Sequence, residues 1–219
     1  MPIENIPEIY IKDKNQNPDL FVYDLKMTND VVKSKVNLGM NMFSFLQIGK
    51  KQVHFASASI TVDKDQSLLL KRGNWLWTEL LDSEADYFCK LLFFSENKLK
   101  DFLEKHTESL LVKTDIKPYF TIHNDQYIRS YLASLSTIIE TPTTFIENLL
   151  SVKFEELMLY LLQKYGDNFE IYLRSLIQKE TSPFKKIIED NTHSNLKLEE
   201  LAFLCNMSLS TFKRRFVGE

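Results

Sequence analysis

The 219-residue sequence lacks a long apolar run and a basic N-terminal segment. A helix that crosses a membrane needs roughly 20 consecutive apolar residues, and a secretory signal begins with positive charge. This chain instead opens with acidic residues in "MPIENIPEIY". We therefore expect a cytoplasmic protein that does not act at a membrane. Its 44% hydrophobic content is enough for a sizeable core in one or two domains.

Cysteine and glycine are both scarce. Cys89 and Cys205 are too far apart in sequence for a metal or redox motif, so we expect two reduced, buried thiols. The five glycines are scattered and cannot form a phosphate-binding loop. The sequence therefore gives no support to a disulfide scaffold or a nucleotide-binding enzyme.

Patterns typical of other enzymes are also missing. The sequence has no His-x-His pair, and His54 and His123 fit structural positions better than a metal site, which needs clustered ligands. No arrangement of Ser, His and Asp has a recognisable local signature. We predict a protein that is not an enzyme, has no catalytic residues, and uses neither a metal nor a cofactor.

The first part of the chain has the alternating pattern of β-strands. "DLFVYDL" (Asp19–Leu25) places apolar residues on one face, and "KQVHFASASITV" (Lys51–Val62) aligns Val53 with Phe55. "YFCKLLFF" (Tyr87–Phe94) is apolar on both faces, which predicts a strand covered on both sides. Turn residues between these runs indicate an antiparallel sandwich or small barrel.

From Ser95 onward the hydrophobic period becomes helical. Apolar residues recur at helical spacing within residues 99–103, 128–135 and 169–177. We expect three units: a β-rich domain at residues 1–93, a helical connector at residues 94–183, and a third unit at residues 184–219.

The third unit contains a pattern for two short helices joined by a tight turn. Leu198, Leu201, Ala202 and Cys205 share one face of the first helix. Asn206 tolerates the left-handed conformation in which a helix ends, and Ser208 is a good N-cap for the second helix. In that second helix we expect Leu209, Phe212 and Phe216 to face inward.

The exposed face of the second helix carries short polar groups and three cations. We predict DNA contacts from Ser208, Ser210, Thr211, Lys213, Arg214 and Arg215. Hydroxyls and an arginine can reach base edges in a major groove, while other cations neutralise phosphates. A solvated basic helix end is an equally simple interpretation, because the helix dipole favours cations at a C-terminus.

At these residues the sequence resembles the AraC/XylS family of bacterial transcriptional regulators. "LEELAFLCNMSLSTFKRRF" (Leu198–Phe216) is similar to the first of the family's two helix-turn-helix units, and "LLLKRGNW" (Leu68–Trp75) is similar to a strand and turn of its ExsA-like members. The resemblance implies an α+β fold, in which a cupin-like β-barrel or sandwich is followed by helices and a partial helix-turn-helix DNA-binding domain. It also implies that Ser210, Lys213 and Arg214 face bases and phosphates.

The resemblance implies a transcriptional regulator whose N-terminal domain controls how promoter DNA is bound. By the resemblance a second helix-turn-helix should follow Phe216, and the sequence ends at Glu219, so we expect a truncated chain whose own affinity for DNA is weak. The alternative is a sensory or protein-interaction module whose terminal helical hairpin docks a protein. The net charge of −3 fits both, because attraction to DNA depends on local clusters of charge.

Aromatic residues in the β-rich part are candidates for an effector pocket. We predict a lining of Phe43, Phe45, Phe55, Trp75 and Tyr87, since small-molecule sites are mostly apolar. The simpler interpretation is that these side chains fill the core. The resemblance implies regulation by a small molecule, by a protein partner, or by no effector at all.

The segment Tyr127–Ile139 carries apolar residues on more than one helical face. It could pack one face on its own domain and another on a second subunit, or be buried within one chain. The resemblance favours a homodimer formed through the N-terminal domain.

Overall fold

The computed structural model describes residues 2–13, 18–54, 59–108, 116–140, 145–178, 184, 187–188 and 196–218. Its strands are β1 (Ile3–Ile6), β2 (Leu20–Met27), β3 (Val31–Leu38), β4 (Asn41–Ile48), β5 (Lys50–His54), β6 (Ser59–Val62), β7 (Gln66–Leu70), β8 (Gly73–Leu80), β9 (Tyr87–Phe94) and β10 (Tyr119–His123). Its helices are α1 (Glu96–His106), α2 (Gln126–Glu140), α3 (Ile146–Tyr165), α4 (Asp167–Ile177), α5 (Leu198–Leu204) and α6 (Leu209–Gly218). The predicted α+β fold is confirmed.

Two five-stranded sheets form a β-sandwich. The first sheet has the order β1-β3-β8-β5-β6, and the second has the order β10-β7-β4-β9-β2. The alternation predicted for β2 is confirmed, because Phe21, Tyr23 and Leu25 pack into the space between the sheets. Leu20 and Val22, which point the other way, pack toward the helices.

The second sheet is covered on both faces, as predicted for "YFCKLLFF". In β9, Cys89 and Phe93 lie in the cluster between the sheets, whereas Leu92 and Phe94 lie in the cluster that contains the helices. Each of these side chains is nearly or completely buried. Burial of one large apolar side chain contributes about 1.5–3 kcal/mol, so the two faces together make this sheet the centre of the fold.

Helices α1 to α4 form a third layer on the outer face of the second sheet. The stripes predicted from helical spacing are confirmed, since Leu99, Phe102, Ile128, Leu135 and Phe169 are all buried in one cluster. The outer face of the first sheet instead receives α5, which packs against β8.

The stretch expected to be helical contains a strand that the sequence pattern did not predict. Strand β10 pairs antiparallel with β7, with Phe120 opposite Leu69. Five residues are too few to establish a period, and the partner strand lies far earlier in the chain. The expectation that only helices follow residue 95 is therefore wrong at this point.

Candidate nucleic-acid interface

The turn after α5 has the geometry that its sequence predicts. Asn206 adopts a left-handed conformation with φ of 54°, which asparagine tolerates better than most residues. The Met207 N–H donates to the Ala202 carbonyl at 2.9 Å, and the Asn206 N–H donates to the Phe203 carbonyl at 2.9 Å. These bonds satisfy carbonyls at the end of α5 and reverse the chain toward α6.

Helix α6 begins with a hydroxyl cap. The Ser208 hydroxyl accepts a hydrogen bond from the Thr211 N–H at 3.2 Å, as predicted for an N-cap serine. Its oxygen also lies 3.0 Å from Ser210 Oγ and 2.9 Å from Thr211 Oγ1. Three hydroxyl groups therefore lie together at the N-terminal end of α6.

A small core holds the two helices together. Phe184, Ala202, Cys205 and Phe212 form a buried cluster. The Phe184 and Phe212 rings meet edge to face, with centroids 5.5 Å apart. Burial raises the pKa of the Cys205 thiol to about 11, so this cysteine stays protonated at neutral pH.

Two predictions about inward-facing residues of this hairpin are wrong. Phe216 is 53% exposed and stacks on Phe212 from outside the buried cluster, because the small core ends one turn earlier. Leu198, at the start of α5, is also exposed. Phe203 is buried without having been predicted, and it belongs to a different contact from Ala202 and Cys205.

The predicted cations lie on α6 but differ in their surroundings. Lys213 and Arg214 are exposed. The Arg215 guanidinium lies 4.4 Å from the centroid of the Phe184 ring, a cation–π distance. The hydroxyl and cationic residues that were predicted to contact DNA are thus brought together on one short helix.

The structure does not bring the predicted effector-pocket residues together. Phe43 and Phe45 lie in the cluster between the second sheet and the helices, while Trp75 and Tyr87 lie in the cluster between the two sheets. Phe55 falls outside the described residues. These two clusters are separated by the second sheet, so the four described side chains, all buried, do not line one shared cavity.

Between the sheets lies a buried ion pair that sequence reasoning missed. Lys51 Nζ is 2.9 Å from Glu79 Oε1, and the Tyr87 hydroxyl donates to the same carboxylate oxygen at 2.9 Å. The ammonium also lies 3.9 Å from the centroid of the Trp77 ring. Burial raises the pKa of Tyr87 well above its usual value. The sequence pattern could have indicated that Lys51 is buried, because Lys51 lies two residues before the apolar Val53 and therefore points to the same inward face of the strand.

In the part of the chain that the structure describes, no group of three or more His, Cys, Asp or Glu side chains is placed to hold a metal ion. None of the described helices is both long enough and apolar enough to cross a membrane.

Comparison with protein families gives two matches along the chain. The ExsA N-terminal regulatory domain matches residues 41–172, which is more than half of the sequence. The AraC family of bacterial regulatory helix-turn-helix proteins matches residues 188–216, which include α5 and most of α6. A comparison with curated protein sequences finds no significant match.

Solved structures with a similar fold include ToxT from Vibrio cholerae. An apo ToxT variant is 16% identical with a TM-score of 0.54, over 92% of this chain and 76% of ToxT. ToxT bound to (E)-4-(8-methylnaphthalen-1-yl)but-3-enoic acid is 12% identical with a TM-score of 0.51, over 90% of this chain and 94% of the ToxT chain. Both matching families are families of regulatory proteins. The chain therefore belongs to the AraC family of transcriptional regulators, with an ExsA-type N-terminal regulatory domain and a helix-turn-helix.

Proposed function

We propose that this chain regulates transcription by binding promoter DNA through helix α6. The observation that carries the proposal is the concentration of hydroxyls and exposed cations on that one helix. Ser210 and Thr211 lie beside the N-cap Ser208, and Lys213 and Arg214 follow one turn later. Short donors and acceptors near a helix N-terminus can contact base edges, and cations beyond them can contact phosphates.

In this proposal the three predicted units have separate roles. Residues 1–93 and the helices within residues 94–183 sense an effector and pair two subunits, and residues 184–219 begin the DNA-binding domain. One ToxT structure contains an aromatic butenoic acid, so a small carboxylic acid with an apolar body is a reasonable class of effector to test. Binding of an effector would change how two helix-turn-helix units are presented to DNA in the cytoplasm.

Replacing Arg214 tests the DNA-binding role of α6. We expect Arg214→Ala to weaken promoter binding by about 1–3 kcal/mol, because an exposed base or phosphate contact is lost while the core is untouched. The measurement is a titration at several salt concentrations against DNA taken from upstream of the chain's own gene. Loss of a phosphate contact should also reduce the salt slope by about one.

The matched control for this test is Arg72→Ala. Arg72 is half-exposed on the regulatory domain, where it pairs with Glu96 at 2.9 Å, and a surface pair of this kind contributes little to stability. We expect this variant to bind DNA like the wild type. If Arg214→Ala also binds like the wild type, Arg214 does not contact DNA. If the binding of both variants to DNA does not depend on salt concentration, the alternative function, in which the hairpin docks a protein, is favoured instead.

We also propose that the chain forms a homodimer, through an apolar face of α3. For the segment Tyr127–Ile139 the sequence left open a contact with a second subunit or burial within one chain, and its large apolar residues Ile128, Tyr131 and Leu135 are buried within the chain. Helix α3 instead carries exposed large apolar side chains at Leu149, Val152 and Leu159, and the exposed Phe145 lies directly before this helix. Apolar side chains spaced along one helix face are well suited to a self-complementary contact.

A charge placed on this face should separate the subunits. Val152 is 64% exposed, so we expect Val152→Glu to fold normally and to reduce self-association at least tenfold, because dimerisation would bury an unpaired carboxylate. Sedimentation over a range of concentrations measures the effect. Gln66→Glu, which adds the same charge at an exposed position of β7, away from α3, serves as the control. Equal self-association in both variants would contradict this dimer.

A further inference from the structure

A cleft with a volume of about 200 Å³ lies between helices α1 and α3. Two buried aromatic side chains, Phe102 and Phe154, form its apolar part, and their rings meet edge to face with centroids 6.2 Å apart. The rest of the lining is polar or charged: Lys98, Asp101, Lys105, Ser151 and Glu155. Sites for drug-sized molecules usually measure roughly 300–1,000 Å³, so this cleft suits a smaller ligand with one apolar and one polar end.

Helical spacing brings these side chains to one seam. On α1, Lys98, Phe102 and Lys105 lie on one face, because residues three and four positions apart are neighbours on a helix. Ser151 and Glu155 are related in the same way on α3. Two packed helices thus present a polar rim to each other above an aromatic base.

The charges at one end of the cleft compensate one another. The Glu155 carboxylate pairs with the Lys105 ammonium and with a ring nitrogen of His106. Hydrogen bonds from Lys105 and then from His106 lower the pKa of Glu155 below its usual value. This carboxylate is therefore ionised at neutral pH, and it already neutralises Lys105.

The other end of the cleft holds a cation whose partner is neutral. The partly buried Lys98 ammonium donates to Ser151 Oγ at 2.6 Å. Among the residues that the structure describes, no carboxylate forms an ion pair with Lys98, although Asp101 follows it by one turn on α1. A cation that is withdrawn from water is usually paired with an anion. A serine hydroxyl that accepts one hydrogen bond still has its own O–H to donate, so an anion here can accept from both groups.

We propose that this cleft is an effector site, and that its ligand is a small monocarboxylic acid with an apolar body. The carboxylate accepts hydrogen bonds from Lys98 and Ser151, and the body packs against Phe102 and Phe154. Charge-assisted hydrogen bonds hold the acid group, and the aromatic base favours an aromatic body. The inference rests on the proposed function and deepens it, because it names the place and the chemistry of the effector.

The charges around the cleft restrict the ligand to a single negative charge. Asp101 and Glu155 border the same space as Lys98, so a second carboxylate or a phosphate dianion on the ligand would be repelled. The cleft also borders the exposed apolar face of α3, since Ser151 directly precedes Val152. A bound acid would therefore lie at the edge of the surface that we propose for pairing of subunits.

Calorimetric titration of the full chain with 3-phenylpropanoate tests the site. We expect this acid to bind with a dissociation constant below about 1 mM, because it supplies one carboxylate and one aromatic ring. Acetate has the carboxylate without the body, and 3-phenylpropan-1-ol has the body without the charge. Both should bind at least tenfold more weakly. If the alcohol binds as tightly as the acid, Lys98 does not select the ligand and the inference fails.

Three variants place the acid in the cleft. Lys98→Met removes the ammonium but keeps an apolar stem, so we expect the affinity for 3-phenylpropanoate to fall on the order of tenfold in a folded chain. Ser151→Ala removes only the hydroxyl and should lower the affinity about threefold, and it decides the matter if Lys98→Met does not fold. Lys100→Met, at an exposed position of α1 outside the cleft, should bind like the wild type. Failure of the wild-type chain to bind the acid, or unchanged affinity in both Lys98→Met and Ser151→Ala, would overturn the inference.

The titration contains no DNA, so its failure differs from failure of the proposed function. If the wild-type chain binds promoter DNA but not the acid, the inference fails and the proposed function stands. If the chain binds the acid through Lys98 but binds no DNA at any salt concentration, the cleft stands as an acid-binding site and the proposed function fails.

Discussion

Lys51→Met is expected to destabilise the regulatory domain by roughly 3–5 kcal/mol. Lys51 is completely buried, and its ammonium pairs with the Glu79 carboxylate at 2.9 Å. Removal of the lysine leaves the Glu79 carboxylate buried without its counter-charge. The variant must then either keep this carboxylate charged and unpaired or take up a proton on it, and both cost free energy of folding. Since a whole domain is stable by about 5–15 kcal/mol, this one change should remove a large part of the total.

The position of the pair explains why its loss should affect the whole sandwich. Lys51 and Glu79 belong to β5 and β8 of the first sheet, whereas Tyr87, which donates to the same carboxylate, begins β9 of the second sheet. The carboxylate therefore joins the two sheets. Urea denaturation followed by tryptophan fluorescence measures the loss, because Trp77 lies beside the ammonium.

Two further variants decide whether the buried charge is the cause. Lys51→Met combined with Glu79→Gln should recover most of the stability, because a neutral amide oxygen can still accept from Tyr87 and no charge is left unpaired. Lys100→Met removes an exposed lysine and should change stability by less than about 0.5 kcal/mol. If Lys51→Met is as stable as Lys100→Met, the pair does not stabilise the sandwich.

Features of this fold that depend on neighbours in sequence could be predicted. Asn206 ends α5 and Ser208 caps α6 because both act on backbone groups within three residues. The helical stripe through Ile128 and Leu135 follows from spacing alone. Strand β10 could not be predicted in this way, because its stability depends on a partner strand from a distant part of the chain.

The candidate site shows the same division. The hydroxyl and cationic residues of α6 lie next to one another in sequence, and spacing was enough to place them on one helix. Phe203 lies off the stripe of α5, and its burial depends on Asn74 and Lys35, far away in sequence. Phe216 has the right spacing to be buried, but the core it would join is too small to reach it. Spacing therefore identifies a face but not what covers that face.

Phe212→Ala is expected to unfold the helix-turn-helix while the sandwich stays folded. Phe212 is 1% exposed and meets Phe184 edge to face, and truncation of a buried aromatic costs roughly 3–5 kcal/mol. Among the described residues, the other fully buried members of its cluster are Ala202, Cys205 and Phe184, and the apolar residues around them are partly exposed, so the remaining core is too small to compensate. None of these four residues belongs to either sandwich cluster, which confines the loss to the hairpin.

Hydrogen exchange resolved along the chain measures this local unfolding. In Phe212→Ala we expect residues 198–218 to exchange as in an unfolded chain, and the strands of the sandwich to stay as protected as in the wild type. Phe216→Ala is the control, since Phe216 stacks on Phe212 from an exposed position and its loss should cost little. Continued protection of residues 198–218 in Phe212→Ala would contradict its place in the core. If Phe212→Ala keeps this protection and still loses DNA binding, the change has altered the DNA-contacting surface of α6 and not the folding of the hairpin.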